Sequence, residues 1–207
     1  QAFTFEAGEG DQKVTAKVYG YARLNAVYDI NEDIGLTTQS GNFSGLDFSG
    51  DAAEGFFDAD AQQSRLGVEV THQSGLLVKL ETDFRGGNLR LRHAYGEYGS
   101  WMVGRNWSNF NSFVGFTSTL DFDATAGNAG VQDRAAQVRY TTGGFSVSLE
   151  DPRFQRIAAV EEGGLNVGID SQKQSMPAAT ARYEKGYDRL TISVAALIQQ
   201  LAYDAGD

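Results

Sequence analysis

Arginine is the residue type that stands out for its chemistry. The chain carries twelve arginines against five lysines. Seven of them, Arg23, Arg65, Arg90, Arg92, Arg105, Arg134 and Arg139, lie on or beside stretches in which polar and apolar side chains alternate. A guanidinium group keeps its proton, and its planar fork holds a carboxylate through two parallel hydrogen bonds. A row of such groups suits the gathering of small anions. Carboxylates are woven into the same stretches. Lys79, Glu81, Asp83 and Arg85 occupy one set of alternate positions, and Leu76, Val78, Leu80, Thr82 and Phe84 occupy the other. The arginines therefore read in two ways, as a positively charged wall for anions or as ion-pair partners of Glu69, Glu81 and Asp83 on a surface.

Enzymatic chemistry finds little to work with. Glu81 and Asp83 form a carboxylate pair of the kind glycosidases use, but neighbours on one strand meet that description by chance. His72 and His93 lie in a turn and a strand with no HExxH spacing, and the chain has no cysteine, which removes disulfides and thiolate metal sites. No catalytic residue, metal or cofactor is expected. The formal net charge of -10 argues against nucleic acid as a partner. Eight acids from Asp29 to Asp60 share a stretch free of Lys and Arg. That stretch reads as a solvated external loop, and its spacing matches no EF-hand.

The elements that must position these residues are strands. The pattern predicts nine, over 14–28, 63–71, 76–85, 89–98, 101–106, 135–141, 145–150, 178–184 and 189–203, within a single domain spanning 1–207 that begins with an extension at 1–12. Connections after the second, fourth, sixth and eighth strands are short, those after the first, fifth and seventh are long, and the one after the third is an exception. One-sided asymmetry of this kind arises when short periplasmic turns oppose long external loops. A mean hydropathy of -0.35 and the lack of an apolar run of about 18 residues exclude a transmembrane helix. They leave open a membrane barrel, in which only every second strand residue faces lipid. The fold expected is all-β, an antiparallel transmembrane β-barrel. The alternative is a soluble β-barrel or β-sandwich that binds carbohydrate or lipid. An arginine on the lipid side near the bilayer midplane would cost roughly 2 to 4 kcal/mol, so arginines on several strands point to a water-filled lumen. Lys79, Glu81, Asp83 and Tyr21 are expected to share that lumen. Asp121 and Asp123, in the segment 109–130, are expected to oppose the arginines, either on a loop folded into the lumen or on an ordinary external one.

The stretch from Leu89 through Arg90-Leu91-Arg92-His93-Ala94-Tyr95-Gly96-Glu97-Tyr98 to Val103-Gly104-Arg105-Asn106-Trp107-Ser108-Asn109-Phe110 resembles the DcaP-like outer-membrane porins. Ser64-Arg65-Leu66-Gly67-Val68-Glu69 and Val18-Tyr19-Gly20-Tyr21-Ala22-Arg23-Leu24 resemble earlier strands of that family. More distantly, Val103-Gly104-Arg105-Asn106 with the acidic segment after it is similar to the general trimeric porins, whose third loop folds into the pore. The resemblance implies a protein of the outer membrane of a Gram-negative bacterium that touches outer-membrane lipid. It also implies a homotrimer with one passive pore per subunit and a preference for dicarboxylate and aromatic acid anions. Such porins close with about sixteen strands, so the nine predicted here make the chain the N-terminal part of one.

Overall fold

The structure is a computed structural model that describes residues 2–31, 33, 54–115, 133–152, 172–173, 175–200 and 202–203. Among these residues the regular elements are β-strands, apart from a single 3-10 turn at Gly10–Gln12. No helix among them is long and apolar enough to cross a membrane. The strands are β1 (Ala2–Ala7), β2 (Val14–Tyr21), β3 (Asn25–Asp29), β4 (Phe56–Asp60), β5 (Arg65–His72), β6 (Leu77–Asp83) and β7 (Arg90–Tyr98). They continue as β8 (Trp101–Trp107), β9 (Arg134–Thr142), β10 (Phe145–Glu150), β11 (Gln172–Lys173), β12 (Ala178–Gly186), β13 (Thr191–Ile198) and β14 (Ala202–Tyr203). The chain divides into two compact units, residues 1–96 with 115–130 and residues 97–114 with 131–207.

In the first unit the strand order is β1-β2-β5-β6-β7, and β3 and β4 form a separate hairpin. Antiparallel register sets Tyr21 against Arg65 and Arg65 against Asp83, Tyr19 against Gly67 and Gly67 against Glu81, and Lys17 against Glu69 and Glu69 against Lys79. One face is thus polar throughout. On the other face Val18 meets Val68 and then Leu80, while Phe3 and Phe5 stand opposite Val18 and Ala16. Because side chains alternate along every strand, this register fixes both faces at once.

The second unit follows the order β8-β9-β10-β12-β13. One row, Val103, Val138, Leu149, Ala179 and Ile198, runs straight across all five strands. The adjacent row, on the polar face, runs Met102, Arg139, Ser148 and Thr180. The short turns lie at one end of this sheet. Gly143 and Gly144, with φ of 54° and 93°, close the β9–β10 hairpin, because a two-residue turn of matching twist needs positive φ at both centres.

Burial is inverted relative to a water-soluble sheet. In β10, Phe145, Val147 and Leu149 are 61, 52 and 56% exposed, whereas Ser146, Ser148 and Glu150 are 4, 5 and 3% exposed. Among the described residues the fully buried set contains three apolar residues, Met102, Ala135 and Ala178, against thirteen polar or charged ones. Burying a large apolar side chain is worth about 1.5–3 kcal/mol, so a sheet that turns Leu66, Leu80, Val147 and Val194 outward is built for a solvent other than water.

Several sequence expectations change. The first strand was expected to run unbroken over 14–28, but β2 ends at Tyr21 and β3 pairs with β4 instead, Tyr28 opposite Phe57. The break falls where the Arg23 N–H donates to the Ser64 hydroxyl at 3.0 Å, ahead of the β5 pairing. Part of the long 29–61 loop is therefore a strand. The extension at 1–12 contains β1, which pairs along β2 from Ala2–Tyr19 to Ala7–Val14. The ninth strand ends at Ile198, and Ala202–Tyr203 pairs with Gln172–Lys173.

Candidate functional site

The densest polar arrangement lies on the polar face of the first unit, where β5, β6 and β7 bring three arginines onto two carboxylates. Arg90 grips Asp83 through two bonds, Nε to Oδ1 at 2.8 Å and Nη2 to Oδ2 at 2.6 Å. Arg92 bridges both acids, with Nε donating to Glu81 Oε1 at 2.9 Å and Nη1 to Asp83 Oδ2 at 2.6 Å. Arg65 stands 3.8 Å from Glu81 Oε1. Its guanidinium also lies 5.4 Å from the centre of the Tyr21 ring. The Arg90 side chain keeps 37% of its surface open, whereas that of Arg92 keeps 3%.

Glu81 is held from the opposite direction by Tyr19, whose hydroxyl donates to Oε2 at 2.9 Å. The tyrosine reaches it across the intervening strand because position 67 is glycine. A Cβ there would collide with the Tyr19 ring. The aromatic ring thus lies over a backbone that only glycine leaves bare. Next along the same face, Lys79 sits 3.9 Å from Glu69 and 5.3 Å from the centre of the Tyr19 ring.

In the second unit the polar face holds down the backbone that leaves β8. Gln137 Nε2 donates to Trp107 O at 2.9 Å, and the Arg139 guanidinium donates to the same carbonyl. Glu150 accepts the Asn109 N–H at 2.7 Å. Asn109 Nδ2 donates to Ser146 O at 3.1 Å, and the Ser146 hydroxyl donates back to Asn109 Oδ1 at 2.6 Å. Further on, the Arg182 guanidinium donates to Asn111 O, and the Ser112 hydroxyl donates to Glu184 at 3.2 Å. Residues 107–112 are therefore seated on side chains from β9, β10 and β12. Each is a buried or half-buried polar group that finds its partner there, as low-dielectric surroundings require.

Trp107, Phe113, Arg139, Arg182, Glu184 and Thr191 border a cavity of about 460 Å³ in this unit. At the turn end, Trp101 packs on Tyr140 with ring centres 5.0 Å apart, and Phe145 on Tyr183 at 4.5 Å. Exposed aromatic clusters at a strand end match the interfacial girdle of membrane barrels. The Tyr187 phenol, in the following turn, is raised from its ordinary range by its hydrogen bond with Tyr183.

The structure brings together Arg65, Arg90, Arg92, Glu81 and Asp83, with Tyr21 and Lys79 beside them. Arg23 stands apart in the β2–β3 connection, its Nε donating to Asn25 at 2.7 Å. Arg139 lies on the polar face of the second unit. Strict alternation separates it from Arg105 and Arg134, which fall in line with Val103 and with Ala136 and Val138. The expectation that Arg105 and Arg134 share one face with Arg139 is corrected by that register. The Arg134 guanidinium lies 3.6 Å from the centre of the Trp107 ring. Asp121 and Asp123 lie outside the described residues. In β7, the neighbours Arg92 and His93 are both buried, so strict alternation of burial fails there. Sequence reasoning missed Tyr19 as a partner of Glu81, and it missed Glu150, Asn109 and Arg182. The alternation of Glu150 with Ser146 and Ser148 marked its face, but nothing local marked the backbone it would hold. Among the described residues no cluster of metal-ligating groups occurs.

A sequence profile of the DcaP outer membrane protein family matches residues 6–201. Comparison with curated proteins gives no match. Among solved structures the chain is similar to the outer membrane channel DcaP of Acinetobacter baumannii, with 30% sequence identity and a TM-score of 0.68. The match covers 90% of this chain and 53% of that one, so the chain spans about half the length of the channel it resembles. With the profile spanning nearly all of the sequence and the sheets turning apolar side chains outward, this chain belongs to the DcaP outer membrane protein family, at home in the outer membrane of a Gram-negative bacterium.

Proposed function

We propose that the chain forms part of the wall of a water-filled β-barrel, a passive channel for small anions such as dicarboxylates, assembled as a homotrimer with one pore per subunit. The observation that carries this reading is the inverted burial. Apolar rows such as Val103, Val138, Leu149, Ala179 and Ile198 meet lipid, and the guanidinium–carboxylate face meets the lumen. Selectivity in such a pore comes from its diameter and from its fixed charge, with no bond made or broken. Arginine supplies that charge at every physiological pH.

In this reading the start of the connection after β8, residues 107–112, lies along the lumen face. The anchoring of residues 107–112 on the polar side chains of β9, β10 and β12 supports this path, because a loop leaving for the exterior would have no use for that face.

The test is insertion of the detergent-extracted protein into planar bilayers, paired with swelling of proteoliposomes in succinate or its neutral diester. Stepwise conductance, a reversal potential on the chloride side and faster entry of the dianion are expected. Absence of conductance removes the channel. Equal entry of the two solutes removes the anion preference.

A further inference from the structure

Two carboxylates neutralise most of the arginine wall, and their placement has a functional consequence. Arg65, Arg90 and Arg92 bring three positive charges, while Glu81 and Asp83 bring two negative ones within 2.6–3.8 Å of them. The Arg92 side chain has both Nε and Nη1 committed and is almost fully covered. Its donors are turned toward the wall rather than toward a solute. Arg90 alone of the three keeps more than a third of its side chain open. A passing anion therefore meets the open edge of Arg90 against a net charge of one, not three. Close opposite charges produce a field that fades faster with distance than that of a single charge, which weakens the reach of the paired groups into the lumen.

We infer that Glu81 and Asp83 are selectivity-determining residues of this pore, placed to hold its preference for anions below what three guanidinium groups alone would impose. Tyr19 is a positioning residue for the same purpose. Its hydroxyl, passed over Gly67, fixes Glu81 against Arg92 and Arg65. The inference rests on the channel reading and goes beyond it, because the acids rather than the arginines become the adjustable elements.

The decisive experiment is the zero-current potential of the full protein in planar bilayers under a tenfold KCl gradient. Asp83→Asn and Glu81→Gln should each raise the chloride-to-potassium permeability ratio about two- to fivefold, the effect of one more unit of positive charge about 8 Å from the ion path in water. The double variant Asp83→Asn/Arg90→Gln restores the net charge while disturbing the ladder further, and its ratio should return toward the wild-type value. A structural role alone would not produce that return. Heat-modifiable migration on gels reports whether each variant has folded. Should Asp83→Asn fail to fold, Glu81→Gln decides, since its amide oxygen still accepts from Arg92 while its N–H can donate to the Tyr19 hydroxyl. Conducting variants whose ratio is unchanged or lowered overturn the inference and leave the channel reading intact. Wild-type protein that never conducts overturns both.

Discussion

Arg90 and Arg92 stand two positions apart on one strand and share Asp83, yet they differ in environment. Arg92 is sealed from water and tied to two acids, so removing one of its partners leaves a buried charge uncompensated, a loss of about 3–5 kcal/mol in comparable cases. Arg90 reaches solvent, and its bond to Asp83 is worth less in net terms. The same face depends on a glycine. Gly67→Ala should displace the Tyr19 ring and break its bond to Glu81, destabilising the protein by about 1–3 kcal/mol. Tyr19→Phe should cost less, because the ring keeps its place. Equilibrium urea unfolding in lipid vesicles measures both. A Gly67→Ala variant as stable as the wild type would show that the ring does not need the bare backbone.

At the scale of the strand, the period of two decides which substitutions are tolerated. Val147 and Ser148 are neighbours in β10 with opposite environments, one outward beside Tyr140 and Ala181, the other buried against Thr180 at 2.6 Å. Val147→Arg places a charge in the apolar band and should lower folding stability in vesicles by about 2–4 kcal/mol, least if the site lies near an interface. Val147→Leu should be neutral within about 1 kcal/mol. If Val147→Arg cost nothing, that face would not meet lipid. Strand pairing also accounts for the β3–β4 hairpin. Once β5 begins at Arg65 opposite Tyr21, the ladder with β2 stops there, and Asn25–Asp29 pairs with Phe56–Asp60 instead.

For the molecule as a whole, the proposed reading makes the membrane the missing half of the hydrophobic core. Few apolar side chains are buried among the described residues, the pattern expected where lipid replaces protein as their partner. On the channel reading, charges that reach the lumen, such as the open edge of Arg90, are exposed to screening by salt. The Debye length falls from about 10 Å at 0.1 M salt to about 3 Å at 1 M. The chloride-to-potassium permeability ratio, measured at constant gradient, should therefore decline toward the ratio of free-solution mobilities as KCl is raised across that range. A ratio indifferent to salt would assign selectivity to pore width rather than charge.

The sequence by itself determined the alternation that separates Leu66, Val68 and Leu80 from Arg65, Glu69 and Glu81. It also located the glycine turns, because both depend on residues adjacent in the chain. The family was legible too, in the run from Leu89 to Phe110. Only the tertiary structure decided which arginine meets which acid, that Tyr19 crosses Gly67, that Glu150 and Asn109 seat the backbone after β8, and that Arg105 parts from Arg139. Those outcomes depend on register between strands distant in sequence. A shift of a single residue there exchanges the two faces, so no local pattern can fix them.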